Sequence, residues 1–228
     1  MSATVSFPPR HLVAFGRPGS GKSSLAERLG KDYGYTLVRT GELLREAVRR
    51  GDSLGKRVEA TLASGNLVPD ALIVELLEAD LKAPGDRRLL FDGFPRTMGQ
   101  VAILEGFEQT LGFGIDGYLE IALTREAAEA RMTGRRVCPQ CGATYHLQAK
   151  PPIVPEHCDN DGATLVRRPD DAIEVVSRRQ QVYDDHAGPI LAHLRATVPD
   201  RIYVVDGDQG PDAVYAETLA VLGLARGE

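Results

Sequence analysis

Apolar positions along this chain keep two rhythms. Short runs with an apolar residue at nearly every position predict strands buried on both faces, at His11–Phe15, Thr36–Arg39, Arg88–Asp92, Tyr118–Leu123 and Ile202–Val205. Between them, apolar residues recur every three to four positions, as at Leu25, Ala26 and Leu29 after Lys22. That spacing predicts helices over Gly41–Arg50, Leu54–Ser64, Ala71–Leu81, Thr97–Gln109, Arg125–Met132 and Ala172–Leu194. Gly51-Asp52-Ser53 reads as the turn between two of them. Pro69 opens the Ala71 helix with Asp70 in its first turn, and Pro84-Gly85 stops it. Strands alternating with helices predict an α/β fold, a doubly wound parallel sheet with helices on both faces. In such sheets ligands gather at the carboxyl ends of the strands, where Gly16, Asp92 and Asp206 fall.

One segment breaks the rhythm. From Gly134 to Asp171 the chain turns rich in Gly, Pro and Cys and loses helical periodicity. So long an insertion in a compact domain reads as a lid that needs a staple of its own.

With 228 residues, 43% apolar and 26% charged, the chain can bury a full core as one α/β domain with insertions. A net charge of −5 argues against a sequence-independent grip on nucleic acid or anionic membrane. No eighteen-residue apolar run and no basic leader appear, so a cytoplasmic location is expected. Ala225 to Glu228 read as a frayed tail.

The first strand runs into Gly16-Arg-Pro-Gly-Ser-Gly-Lys-Ser-Ser24, in which Gly16, Gly21, Lys22 and Ser23 fit G-x-x-x-x-G-K-[ST]. The chemistry requires these residue types. Main-chain N–H groups must converge on a phosphate, glycine allows that backbone, the helix start adds its positive dipole end, and Lys22 supplies a mobile charge.

Three cysteines, Cys138, Cys141 and Cys158, cannot all pair, and their clustering points to metal rather than to a disulfide framework. Cys138-Pro-Gln-Cys141 and, sixteen residues on, Cys158-Asp-Asn-Asp161 have the spacing of two zinc knuckles with aspartate as the fourth ligand. His146 and His157 compete for that fourth place, and three buried free thiols are the alternative. Four protein ligands would make the site closed and structural.

Arg45, Arg96, Arg131, Arg135, Arg136, Arg168 and Arg179 are scattered through an acidic chain. Several fall where predicted elements end on the phosphate side. Guanidinium forks there suit a substrate carrying many phosphate charges.

From His11 to Leu222 the sequence resembles the adenylate kinases, in their bacterial long-lid, metal-binding form. The resemblance is carried by the Gly16–Ser24 loop, Thr40-Gly-Glu-Leu-Leu-Arg45, Gly65-Asn-Leu-Val-Pro-Asp70 and Phe91-Asp-Gly-Phe-Pro-Arg-Thr97 with Gln100. Gly134-Arg-Arg-Val-Cys138, Thr144-Tyr-His146 and Arg168-Pro-Asp-Asp171 add to it. It implies a P-loop core with a five-stranded sheet (1–38, 69–133 and 172–228), a helical AMP-binding insertion (39–68) and a zinc-ribbon-like lid (134–171).

The implied reaction is MgATP + AMP ⇌ 2 ADP, by a monomer, with structural Zn²⁺ in the lid. Gly19, Ser20, Gly21, Lys22, Ser23 and Ser24 would wrap the ATP phosphates. Arg131 would stack on the ATP adenine beside Thr144, Tyr145 and Gln209. Thr40, Arg45, the Asn66, Leu67 and Val68 backbone, Gly93, Phe94, Pro95, Arg96 and Gln100 would hold AMP. Arg135, Arg168 and Arg179 would close over the transferring group, and Asp92 would orient water around Mg²⁺. An AMP phosphate oxygen attacks, so no strong general base is needed.

Two positions depart from the family's usual loop. Ser23 stands where glycine is usual and Ser24 where threonine is. Two other readings stay open: another nucleoside monophosphate kinase, such as one using GTP, and a non-enzymatic zinc-ribbon protein that contacts nucleic acid.

Overall fold

The computed structural model describes residues 9–81 and 86–224. The Pro84-Gly85 stop and the tail from Ala225 lie outside these. A parallel five-stranded sheet has the order β2-β3-β1-β4-β7, formed by β1 (His11–Phe15), β2 (Tyr35–Arg39), β3 (Arg88–Asp92), β4 (Gly117–Ala122) and β7 (Ile202–Asp206). The small antiparallel pair β5 (Arg135–Val137) and β6 (Thr144–His146) lies in the 134–171 insertion.

The unbroken strands make two cores at once, because successive side chains point to opposite faces. Val13 and Phe15 of β1 with Leu89 and Phe91 of β3 pack under one layer of helices. That layer is α2 (Thr40–Arg50), α3 (Ser53–Ser64), α4 (Asp70–Asp80), α5 (Met98–Leu111) and the end of α7 (Ile173–Thr197). Leu12, Ala14, Leu90, Leu119 and Ile121 face the other way, onto α1 (Lys22–Tyr33) and α8 (Pro211–Val221). A third, small cluster of Cys138, Tyr145, Cys158 and Leu165 belongs to the insertion alone.

Differences from the sequence reading have local causes. Asp70 opens α4 one residue earlier than expected, with Pro69 as its cap. Thr97 caps α5, its hydroxyl accepting the Gln100 N–H at 3.0 Å. Helix α7 runs to Thr197 straight through Pro189, held by Ile190 and Leu194 in the core. Helix α8 was not expected, although Pro211 at its first turn is an ordinary start signal.

Phe91 is wholly buried on a central strand. Phe91→Ala should destabilise the fold by about 3–5 kcal/mol, measurable by urea or thermal unfolding.

Candidate active site

The loop between β1 and α1 is shaped by close approach. Gly16 (φ +140°) and Gly19 (φ +92°) hold backbone that a side chain would strain. A Cβ on Gly16 would lie 2.6 Å from the Ile121 carbonyl, and one on Gly19 2.7 Å from that of Ala128 in α6 (Arg125–Thr133). Lys22 folds back into the ring, donating to the carbonyls of Gly16 (2.5 Å) and Arg17 (2.7 Å). Ser23 donates to the buried Asp92 carboxylate at the end of β3. Ser20 is buried within the loop, whereas Ser24 is exposed. The sequence reading missed Gln180, which is fully buried on α7 and donates to the Pro18 carbonyl at 2.9 Å. Its place in the middle of a helical pattern carried no signal of that contact.

Opposite the loop lies a cleft of about 580 Å³, open to solvent. Of the residues expected around AMP, Thr40, Arg45, Asn66, Leu67, Val68, Gly93, Phe94, Arg96, Gln100 and Arg179 line it; Pro95 and Arg168 do not. The Thr40 hydroxyl and the Arg96 Nε both donate to the Gly93 carbonyl, at 2.9 and 2.7 Å. The Asn66 side chain accepts from Arg178 at 2.8 Å, leaving its backbone toward the cleft wall.

Six cations crowd this region. Desolvation first, then Arg96, Arg179 and Arg135, push the Lys22 ammonium down to about 8 against the pull of Asp92. Arg96 reaches solvent at its edge but is surrounded by protein, and that enclosure, followed by Arg45, lowers it. Arg179 falls to about 10, through burial and then the charges of Arg96 and Arg135, with Asp170 opposing. Arg168 is lowered by burial, Arg135 and Arg45. Asp170 takes Arg179 at 3.1 Å. The fully buried Asp171, a second residue missed from sequence, holds the Arg135 fork, with Nε to Oδ2 at 2.8 Å. The Arg45 and Arg168 guanidinium groups have no hydrogen-bond or ion-pair partner among the described residues. Such an assembly suits a polyanion.

On the side expected for ATP adenine, Arg131 lies 3.8 Å from Asp208. This pairing brings the end of α6 beside the turn that carries Gln209. The Gln209 amide is tied to Glu217 at 2.6 Å. Thr144 is half-buried at the start of β6. The Tyr145 ring is committed to the lid core, its hydroxyl taking the Asp159 N–H at 2.8 Å and meeting the Cys158 sulfur at 3.4 Å.

In the lid, ligand atoms of Cys138, Cys141, Cys158 and Asp161 lie within 4.8 Å of one another. Cys141 and Cys158 sulfurs are 3.5 Å apart, and Asp161 is 3.2 Å from the Cys138 sulfur. The edges of a tetrahedron built on zinc–sulfur bonds are about 3.7 Å, so the donor set fits that metal. The Gln140 and Cys141 N–H groups each point at the Cys138 sulfur from 3.4 Å. The Ala163 N–H and the neighbouring thiols hold the Asp161 carboxyl at about 2, keeping it anionic. Neither histidine is part of this cluster. His157 Nδ1 meets the Pro155 carbonyl at 2.9 Å. His146 Nδ1 accepts from Gln148 and Ala149 at 3.1 and 3.0 Å.

The lowered Lys22 has a consequence for binding. A polyphosphate raises its pKa again, so above about pH 8 binding must also draw in a proton. ATP affinity should therefore fall as pH rises, by up to about tenfold per unit between the free and bound pKa values. Calorimetric titrations from about pH 7 to about pH 9.5 check this, and the slope should flatten in Lys22→Arg, whose charge does not titrate in that range.

A model of the family described as adenylate kinase matches residues 14–198. The adenylate kinase of Pyrococcus furiosus is 37% identical over 217 residues, covering 95% of this chain and 97% of that one. The Moorella thermoacetica adenylate kinase is 38% identical over 213 residues, covering 93% and 97%. That of Thermococcus kodakarensis is 40% identical over 202 residues, covering 88% of each. With this sheet, this loop and these relatives, the chain belongs to the adenylate kinase family.

Proposed function

We propose that the two sides of the cation cluster hold the two nucleotides of the family's reaction, with each residue in a definite role. The chain is an enzyme that converts ATP and AMP into two ADP. The observation that carries the assignment of roles is the gathering of Lys22, Arg45, Arg96, Arg135, Arg168 and Arg179, in which Arg45, Arg96, Arg135 and Arg179 lower the pKa of neighbouring cations. Gly19 to Ser24 cradle the ATP phosphates, with Arg131, Thr144, the Tyr145 backbone and Gln209 toward its base. Thr40, Arg45, the 66–68 backbone, Gly93 to Arg96 and Gln100 take AMP. Asp92, with Ser23 against it, faces the place of the nucleotide's Mg²⁺, which supplies charge neutralisation when bound.

The AMP phosphate oxygen is already ionised at neutral pH, so these residues align and neutralise rather than abstract a proton. Lys22 leaves the Gly16 and Arg17 carbonyls for the phosphates. Arg135 and Arg179, braced by Asp171 and Asp170, hold their forks over the transferring group. Segments 39–68 and 134–171 close over AMP and ATP and keep water from competing as acceptor. Core segments 1–38, 69–133 and 172–228 carry both. Zinc on Cys138, Cys141, Cys158 and Asp161 makes the lid one rigid body. The enzyme works as a cytoplasmic monomer. Among the described residues, no helix is long and apolar enough to cross a membrane.

A coupled assay of ADP formation from ATP and a panel of monophosphates tests this reading. Activity should be highest with AMP. Lys22→Ala and Arg96→Ala should each lose about a hundredfold or more, about 3 kcal/mol of barrier; near-normal turnover in either variant removes that residue from the site. Stripping the lid metal with a chelator should lower the melting temperature by several degrees while turnover of the still-folded enzyme changes less than about twofold. Elemental analysis of the untreated protein should find one zinc per chain.

A further inference from the structure

Gln100 is 2% exposed and lines the cleft with Thr40 and Arg96. Both ends of its carboxamide are engaged by the protein. Its Oε1 accepts the Arg96 main-chain N–H at 2.8 Å, and its Nε2 donates to Asp70 Oδ1 at 2.8 Å. Neither partner can exchange roles, since a main-chain N–H only donates and a carboxylate only accepts. The orientation of the amide is thereby fixed from two sides. One N–H and one lone pair remain for a ligand.

Asp70 is itself held. It is the first residue of α4, and its Oδ2 faces the Thr97 hydroxyl at 3.5 Å. Gly99 makes room for it: a Cβ there would lie 2.6 Å from Asp70 Oδ2.

The base that meets this amide must match its sense. A 6-amino purine offers a ring-nitrogen acceptor beside an exocyclic N–H donor, the pair that a glutamine amide reads. A 6-oxo purine offers a ring N–H beside a carbonyl, the same pair reversed. An amide free to turn over serves either base, and a fixed one serves only one.

We propose that Asp70 is a positioning residue for acceptor-base selectivity, locking the Gln100 amide in the sense that takes a 6-amino purine monophosphate and refuses its 6-oxo counterpart. This rests on Gln100 meeting the base of AMP. It goes beyond an acidic residue favouring a helix start, which would affect stability alone.

The test compares kcat/KM for AMP and for IMP, which differ at that edge, in the wild type and in Asp70→Ala, Gly99→Ala and Gln100→Leu. Asp70→Ala should lower the AMP-to-IMP ratio at least about tenfold through the monophosphate KM, with the KM for ATP within about twofold. Should that variant fail to fold, Gly99→Ala decides, because it keeps the carboxylate, displaces it from Gln100 and suits a helix better than glycine. An unchanged ratio in the deciding variant, with Gln100→Leu reduced, overturns the role of Asp70 alone. An unchanged ratio in Gln100→Leu overturns it together with the placement of the base.

Discussion

Repulsion among like charges is the constraint around which the site is arranged. Lys22, Arg96, Arg168 and Arg179 are each lowered by neighbouring cations as well as by lost solvent. Such an arrangement is unfavourable in the empty protein, and it persists because strong local structure imposes it. Lys22 is fixed by the loop that starts α1, Arg96 by its own bond to the Gly93 carbonyl, and Arg179 by a helix whose far end is in the core. Carboxylates at Asp92, Asp170 and Asp171 offset part of the repulsion and set the direction of each fork. A polyphosphate relieves the remainder, so binding and charge alignment are one event.

The sheet makes this possible by being buried on both faces. Strands β1 and β3 present their carboxyl ends side by side, with the phosphate loop leaving one and Asp92 ending the other. Two apolar layers clamp them, so a loop with positive-φ glycines and a half-buried lysine is held by the fold itself. Gln180 adds a polar tie from α7 to the loop, next in sequence to Arg179. Loop geometry and the position of that arginine are therefore set by the same helix.

Much of this was legible in the sequence, and the reasons are physical. The five strands and the loop between β1 and α1 follow from local pattern, because apolar runs and glycine spacing have few structural meanings, although the edge strand β7 is partly exposed, with Val204 open to solvent. The grouping of Cys138, Cys141, Cys158 and Asp161 was legible for the same reason, with Asp161 rather than either histidine in it. What was not legible depends on contacts between distant segments. Gln180 reads as an ordinary polar helix residue and Asp171 as the polar end of the insertion until the fold buries them. Nothing local to Tyr145 shows that its hydroxyl meets the Cys158 sulfur and the Asp159 N–H. Helix α8 could have been found from Pro211, a local signal left unused.

The third apolar cluster, confined to the insertion, has a consequence for how the molecule tolerates change. Cys138, Tyr145, Cys158 and Leu165 pack among themselves, apart from the two layers that clamp the sheet. Packing that is closed on itself in this way does not depend on the layers that clamp the sheet. The side chains of Cys141 and Asp161 gather at that cluster as well, away from the packing around the phosphate loop. Substitutions within that cluster are accordingly felt first in the insertion's own packing.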